Sequence, residues 1–407
     1  MRTSVYLFAS DLIDEGFEAA LDNVAVRGGL GGINMAAAYH HGRDIFPHSP
    51  IRKVRFLEGG TVFFHPDESR YGETLRPVVS SLSTDADVLA LAVEAAGTRS
   101  MEVHAWTVYC HNTRLGTMHP ELTMHNAFGD PYLSDLCPSH PEVQAFAKGL
   151  TADIASHGVQ SILAESLHFG LFQHGHHHER YFIDLGPVAM FLMGLCFCGP
   201  CVTASASLGV DADRVREYVR DEIQAIFDGK TSTEDAELHE SRIRSAVNGE
   251  MGRYLDSRAE TVTKLTGEVT AIARDHGARV SFIDPSGAMK GYATGHPTGA
   301  PAPASAWVFG ADLGAIGAVA DIEAVAYAAD PERVRMDLEV YNRLLSSASE
   351  LTAALRPMLP DCDSVENLEL KLRAAASLGV SRIDFYHYGF MPLVVLDRIR
   401  EALESTR

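Results

Sequence analysis

Eight short, alternating apolar segments run along this chain with helical patterns between them, and no other feature narrows the fold as far. The segments are 4–10 (SVYLFAS), 31–39 (GGINMAAAY), 102–110 (EVHAWTVYC), 160–166 (QSILAES), 278–284 (ARVSFID), 318–327 (AVADIEAVAY), 351–358 (LTAALRPM) and 380–388 (VSRIDFYHY). Helical periodicity fills 14–27, 85–97, 141–157, 212–228, 236–275, 303–316, 331–349 and 364–378. Strands that alternate with helices build βα units on a parallel sheet. Eight such units predict an α/β fold, the closed (β/α)8 TIM barrel, with an open doubly wound sheet as the competing arrangement. The usual dinucleotide signature is absent: GGLGG at 28–32 precedes a strand instead of following one, and reads as a helix-to-strand turn.

Two connections are long. The stretch 40–84 follows the second strand and contains KVRFLEGGTVFFHPD, which predicts a β-hairpin insertion around 50–70 that turns at Gly59-Gly60. The stretch 167–277 follows the fourth strand and predicts a helical insertion. Both leave from carboxyl ends of strands, so both are expected over the face where barrels build their sites. No linker, low-complexity run or internal repeat divides residues 1–407, which are read as one elaborated barrel domain.

The bulk numbers exclude some classes. A formal net charge of −20 leaves no basic surplus to neutralise phosphates, which argues against nucleic acid as a partner. The first residues, MRTSVYLFASDLIDEG, lack a basic region followed by a long apolar one, and no apolar run is long enough to span a bilayer. The expected location is cytoplasmic, with no membrane partner. Cysteines there stay reduced, so clustering among the six points to metal or packing and not to disulfides.

The segment ILAESLHF at 162–169 carries the first candidate for chemistry. Ser161 to Leu167 alternates, with Ile162 and Ala164 on the apolar face, so Glu165 ends a buried strand and points the other way. A buried carboxylate is costly unless paired or neutral, and strand ends are where barrel sites form. Glu165 is therefore read as an acid/base. Histidines gather at the same end. His40 and His41 end the second segment, His111 and Asn112 the third, His168 follows Glu165, and HGHHH at 174–178 includes His176. Neutral imidazole, amide and guanidinium groups suit sugar hydroxyls, and Arg43, Arg356, Tyr386 and Tyr388 complete the candidate lining. CFCGPC places Cys196, Cys198 and Cys201 in C-x-C-x2-C, one ligand short of a tetrahedral zinc site. A fourth ligand is required, for which Cys110 is one candidate, and small buried thiols around a tight Gly199-Pro200 turn are the competing reading. Neither Cys110 nor Ser166 sits in a nucleophile signature.

The stretches HAWTVYCHNTRLGTMHPELTMHNAFGD, LCPSHPEVQAFA, ILAESLHF and CFCGPC, in that order, resemble glycoside-hydrolase-like barrels related to family 10 and family 42 glycosidases. The similarity runs from Tyr39-His40-His41 to FYHYGF at 385–390. It implies hydrolysis of a small oligosaccharide or glycosylated metabolite by paired carboxyl groups, with no organic cofactor. It implies that Glu165, at the end of strand 4, is the acid/base, and that Cys137 completes a structural zinc site with Cys196, Cys198 and Cys201. The sequence departs from the family at strand 7, where LRPMLPDCD offers no Glu and Asp361 lies beyond Pro360. The second carboxylate is then sought among Asp284, Glu323, Asp361 and Asp384. Asp284 is preferred because it opens into the Gly-rich PSGAMKGY, and Asp384 comes next, although an ion pair with Arg382 or Arg356 would claim it. Two further functions compete: a metal-dependent hydrolase or isomerase using the histidine cluster, and a non-catalytic sugar-binding barrel. Association into a homo-oligomer stays open, since no interface stripe stands out.

Overall fold

A computed structural model describes residues 1–173, 179–231, 237–346 and 348–406, apart from the side chain of Lys290. The eight expected segments form the strands β1 (Arg2–Leu7), β2 (Gly32–Tyr39), β3 (Glu102–Val108), β4 (Ser161–Glu165), β5 (Arg279–Asp284), β6 (Asp321–Val325), β7 (Leu351–Leu355) and β8 (Arg382–Phe385). Each pairs in parallel with its neighbours in chain order, and β1 pairs with both β2 and β8, which closes the barrel. This is the (β/α)8 barrel expected from the alternation. The helix Val394–Ser405 completes the eighth unit. It was not anticipated, although its buried Val395, Leu396, Ile399, Ala402 and Leu403 mark a helical stripe.

The two-residue period of each strand decides which side chains enter the barrel. His104 of β3 hydrogen-bonds Ser161 of β4 at 2.7 Å, and Ser4 of β1 donates to both Asn34 of β2 and Asp384 of β8. These contacts identify the interior set, which continues as Tyr6, Trp106, Leu163, Ile283, Glu323, Ala354 and Arg382. The intervening Ile162, Phe282, Ile322, Ala353 and Ile383 are fully buried among the outer helices.

The insertions differ in detail from expectation. The hairpin after β2 pairs Gly42–Ile45 with Val54–Leu57, so its turn lies at 46–53 and not at Gly59-Gly60. Thr61–Val62 instead pairs back onto Ala38–Tyr39 of β2. The glycines serve close approach. Gly60 has φ +63°, and an added Cβ would lie 2.3 Å from Oδ1 of Asn112. That oxygen accepts from the Leu115 N–H at 3.0 Å and caps the helix Thr113–Met118. Gly60→Ala is expected to cost about 2–4 kcal/mol, from a disfavoured backbone and a disturbed cap. The measurement is the denaturant midpoint, and an unchanged midpoint refutes this packing.

A second antiparallel pair, Thr123–His125 with Pro131–Leu136, stands between β3 and β4 and was not foreseen. The insertion after β4 carries several helices and ends in the long Glu250–Asp275 helix. It gathers its own apolar cluster, including Phe191, Phe197, Val215, Ile223, Met251 and Tyr254. Among the described residues no helix is long and apolar enough to cross a membrane.

Candidate active site

A cavity of about 590 Å³ opens at the carboxyl ends of the barrel strands. That volume suits a small organic ligand. Its wall is aromatic: Tyr6, Tyr39, Trp106, Tyr292, Tyr327 and Tyr386 all face it. The rings brace one another, with Trp106 4.9 Å from Tyr6 and 4.5 Å from Tyr39, each edge-on.

Glu165 stands in this wall. The chain turns sharply behind it, because Ser166 adopts the left-handed conformation at φ 54°. A non-glycine residue held there is strained, and such strain gathers at functional positions. The Trp106 indole N–H donates to Glu165 Oε2 and fixes its orientation. Burial raises the Glu165 pKa, and the indole hydrogen bond and nearby His111 only partly offset this. The group is thus shifted toward its acid form, as a proton donor requires.

His111 faces a second carboxylate on the cavity wall, Asp135, with Nδ1 3.5 Å from Oδ1. Burial lowers the His111 pKa, but the hydrogen bond to Asp135 and the charges of Asp135 and Glu165 outweigh it, and the net shift is upward. Asp135 was not among the sequence candidates, because it lies on the unforeseen hairpin. His168 also lines the cavity, but burial pushes its pKa down to about 4, so it is a neutral donor or acceptor at pH 7. His40 and Tyr386 complete the predicted residues that reach the cavity.

The other candidates lie elsewhere. Asp284 has the wrong parity: Ile283 lines the cavity, and Asp284 turns outward to accept from Tyr341 Oη at 2.5 Å and Ser286 Oγ at 2.7 Å. It is fully buried against the helix Pro331–Leu344 and has no access to a substrate in the cavity. Asp384 faces inward below the cavity, where Arg382 Nε contacts its two oxygens at 2.8 and 2.9 Å. Asp361 is held by Arg356 in a two-pronged ion pair at 2.6 and 2.8 Å. The same guanidinium lies 4.4 Å from the ring centre of Tyr327, so Arg356 supports a cavity wall residue. Asn112 is the helix cap described above. Tyr388 is buried with its hydroxyl donating to Glu15 at 2.7 Å. Arg43 is exposed on the hairpin, and His41 lies beside Gly59; neither lines the cavity. His176 and the rest of the run 174–178 lie outside the described residues.

Glu323 lies under the floor. It accepts from the hydroxyl of Tyr6, which itself lines the cavity. Burial, then the charge of Asp384, raises its pKa to about 8. Burial thus holds Glu323 toward its acid form.

The sulfurs of Cys137, Cys196, Cys198 and Cys201 all lie within 4.8 Å of one another, and all four residues are buried. Cys137 Sγ is 3.5 Å from those of Cys201 and Cys198 and 3.8 Å from that of Cys196. Tetrahedral zinc with bonds of about 2.3 Å sets its sulfurs about 3.8 Å apart. The spacing therefore fits. Local structure explains it: Gly199-Pro200 opens the helix Gly199–Ala206, leaving Cys198 at its cap and Cys201 in its first turn. The His125 backbone N–H points at Cys196 Sγ at 3.3 Å, as N–H groups do toward thiolates. Cys110, the other candidate ligand, lies in the cavity wall, where burial pushes its thiol up to about 12.

No protein-family model matches the chain, and no curated protein does. Solved structures do. A β-galactosidase from the psychrophilic Marinomonas ef1 superposes with a TM-score of 0.59 at 10% identity, over 100% of this chain and 59% of that one. The α-L-fucosidase isoenzyme 2 from Paenibacillus thiaminolyticus gives 0.55 at 12% identity, over 100% and 49%. The catalytic domain of a β-amylase from Paenibacillus polymyxa gives 0.51 at 12%, over 99% and 98%. This chain thus spans only 49% to 59% of the first two. The likeness establishes the fold, a (β/α)8 barrel.

Proposed function

We propose that this protein is a glycoside hydrolase acting on a small oligosaccharide or glycosylated metabolite. The observation that carries the reading is Glu165, a carboxyl group with a raised pKa, oriented by Trp106, in the wall of an aromatic cavity. Aromatic rings suit the C–H faces of sugars, while the histidines and tyrosines supply donors and acceptors for hydroxyls. In this reading Glu165 donates its proton to the glycosidic oxygen as the bond to the anomeric carbon breaks. Asp135 is the second carboxyl group; with His111 it orients the water whose oxygen bonds to the anomeric carbon, and it takes that water's proton. Glu323, sealed beneath Tyr6, does not touch substrate and holds that phenol in place. The test is a panel of nitrophenyl glycosides and small oligosaccharides assayed with the parent and with Glu165→Gln. Turnover of the oligosaccharides by the parent alone supports the assignment, and equal turnover of them by both refutes it.

A sugar-binding barrel without catalysis is the second reading. It is favoured by β7, whose following carboxylate, Asp361, is engaged by Arg356. Tight sugar binding with no turnover by the parent would select it.

The four-cysteine centre is assigned a structural zinc, supported by the sulfur spacing and the four-thiol donor set. Four protein ligands close the coordination sphere, so the metal takes no part in the reaction. Its place in the fold gives it a positioning role. Cys137 directly follows the hairpin that carries Asp135, and the other ligands belong to the insertion after β4, so the centre ties the two together. Metal analysis is expected to return one zinc per chain. Cys198→Ser is expected to lose it and to lower the thermal midpoint. A metal-free, fully folded parent would overturn this assignment.

A further inference from the structure

We propose that Arg258 is the counter-cation of the four-cysteine centre and that its fixed charge sets how firmly the centre holds its metal; this rests on the zinc assignment above. Arg258 lies on the helix Glu250–Asp275 and is only 2% exposed. Its guanidinium carbon lies 4.5 Å from the ring centre of Phe169. Among the described residues its hydrogen bond is a long one, from Nη2 to the Val308 carbonyl at 3.4 Å, and Nε and Nη1 are buried with no acceptor. Among the described residues no carboxylate accepts from it. An arginine enclosed without an anion is costly, and one partner is normally found for it.

The anions available to it are sulfurs. Tyr254 lies one turn earlier on the same helix face, and its hydroxyl donates to the Cys196 carbonyl, which brings this face against the cysteine loop. The thiols of Cys201, Cys196 and Cys137 lie within electrostatic reach of the guanidinium. With zinc, four thiolates and one divalent ion carry a net double negative charge, and the arginine balances half of it. The metal-bound centre is therefore the anion that this buried cation lacks. The coupling is reciprocal: removing the cation must weaken the metal.

Phe169 extends the consequence toward the cavity. It follows His168, whose Nδ1 contacts the Phe169 carbonyl at 2.9 Å, and its N–H donates to the Phe309 carbonyl at 3.1 Å. Arg258 thus sits between the metal centre and the segment that follows Glu165. It is a positioning residue and touches no substrate.

The experiment measures zinc affinity by competition with a chromophoric chelator at fixed pH, using the full chain and its variants Arg258→Lys, Arg258→Gln and Arg258→Met. Circular dichroism checks the fold of each. Removing the charge in the Gln and Met variants is expected to weaken zinc binding about 10–100-fold, the usual scale for groups supporting a metal's ligands. Lys, which keeps the charge but not the shape, is expected to stay closer to the parent than Gln does. If Met does not fold, the Lys and Gln comparison alone decides. Equal affinity of parent and Gln variant, with zinc present in both, overturns the proposal. A parent that binds no zinc overturns the assignment beneath it, and that is seen before any variant is compared.

Discussion

Glu165→Gln is expected to cut turnover of an unactivated glycoside by about 10²–10⁴-fold, the range for losing a positioned general acid. The loss should depend on the leaving group. An alkyl alcohol leaves poorly unless protonated, so its glycosides lose most. A dinitrophenolate leaves without help, so its glycosides lose little. This graded response separates proton donation from a general disturbance of the site. The pH profile gives a second check. Burial raises the Glu165 pKa, so the parent keeps its acid form to higher pH than an exposed glutamate would, and activity should fall as pH rises through that value. Gln has no such limb. Stability should hold or rise in the variant, because the neutral amide avoids the cost of enclosing a carboxylate. A pH-independent loss equal for all leaving groups would remove Glu165 from the acid role.

The same comparison shows what periodicity can and cannot reveal. All eight barrel strands were legible, because each is a short alternating segment whose faces are sorted by burial. Glu165 was legible for the same reason: its parity is opposite to that of Ile162 and Ala164. Parity also held the answer for Asp284. It alternates in step with Val280 and Phe282, which are buried on the helical side, and the loop glycines after it drew attention away from that. Asp384 has the right parity, but depth along the strand is a property of the closed barrel, and Arg382 two residues earlier claims it. Asp135 was invisible for a different reason. It reaches the cavity on a hairpin whose strands are three and six residues long, too short for a period to declare itself. The four clustered cysteines show the converse. Three sit within six residues and are readable, while Cys137 is brought in by tertiary packing and came from family resemblance.

Asp384→Asn is expected to cost about 3–5 kcal/mol, the scale for breaking a buried ion pair from one side. Arg382 and Asp384 have side chains 3% and 0% exposed, so the abandoned guanidinium has no water to turn to. One neighbour can soften the loss. The Glu323 pKa stands at about 8 because of burial and then the charge of Asp384. When that charge is removed, Glu323 can ionise and serve Arg382, whose charge already lowers it. Glu323→Gln alone should therefore be mild or stabilising at pH 7, since it replaces an acid that pays for its burial. The double variant should lose more than the two single changes added together, because neither of the two buried carboxyl groups beside Arg382 then remains. The pH dependence fixes the sign. Burial raises the Asp384 pKa, but Arg382 more than reverses this and the net shift is downward. Its contribution is thus fully present above the unfolded value of about 3.9 and is lost as pH falls through the lower folded one. The gap in urea midpoint between parent and Asn variant should be widest near pH 5, narrow toward neutrality as Glu323 ionises in the variant, and close in stronger acid. A gap that persists in acid, or a double variant no worse than the sum, would mean that Asp384 is held by shape and not by charge.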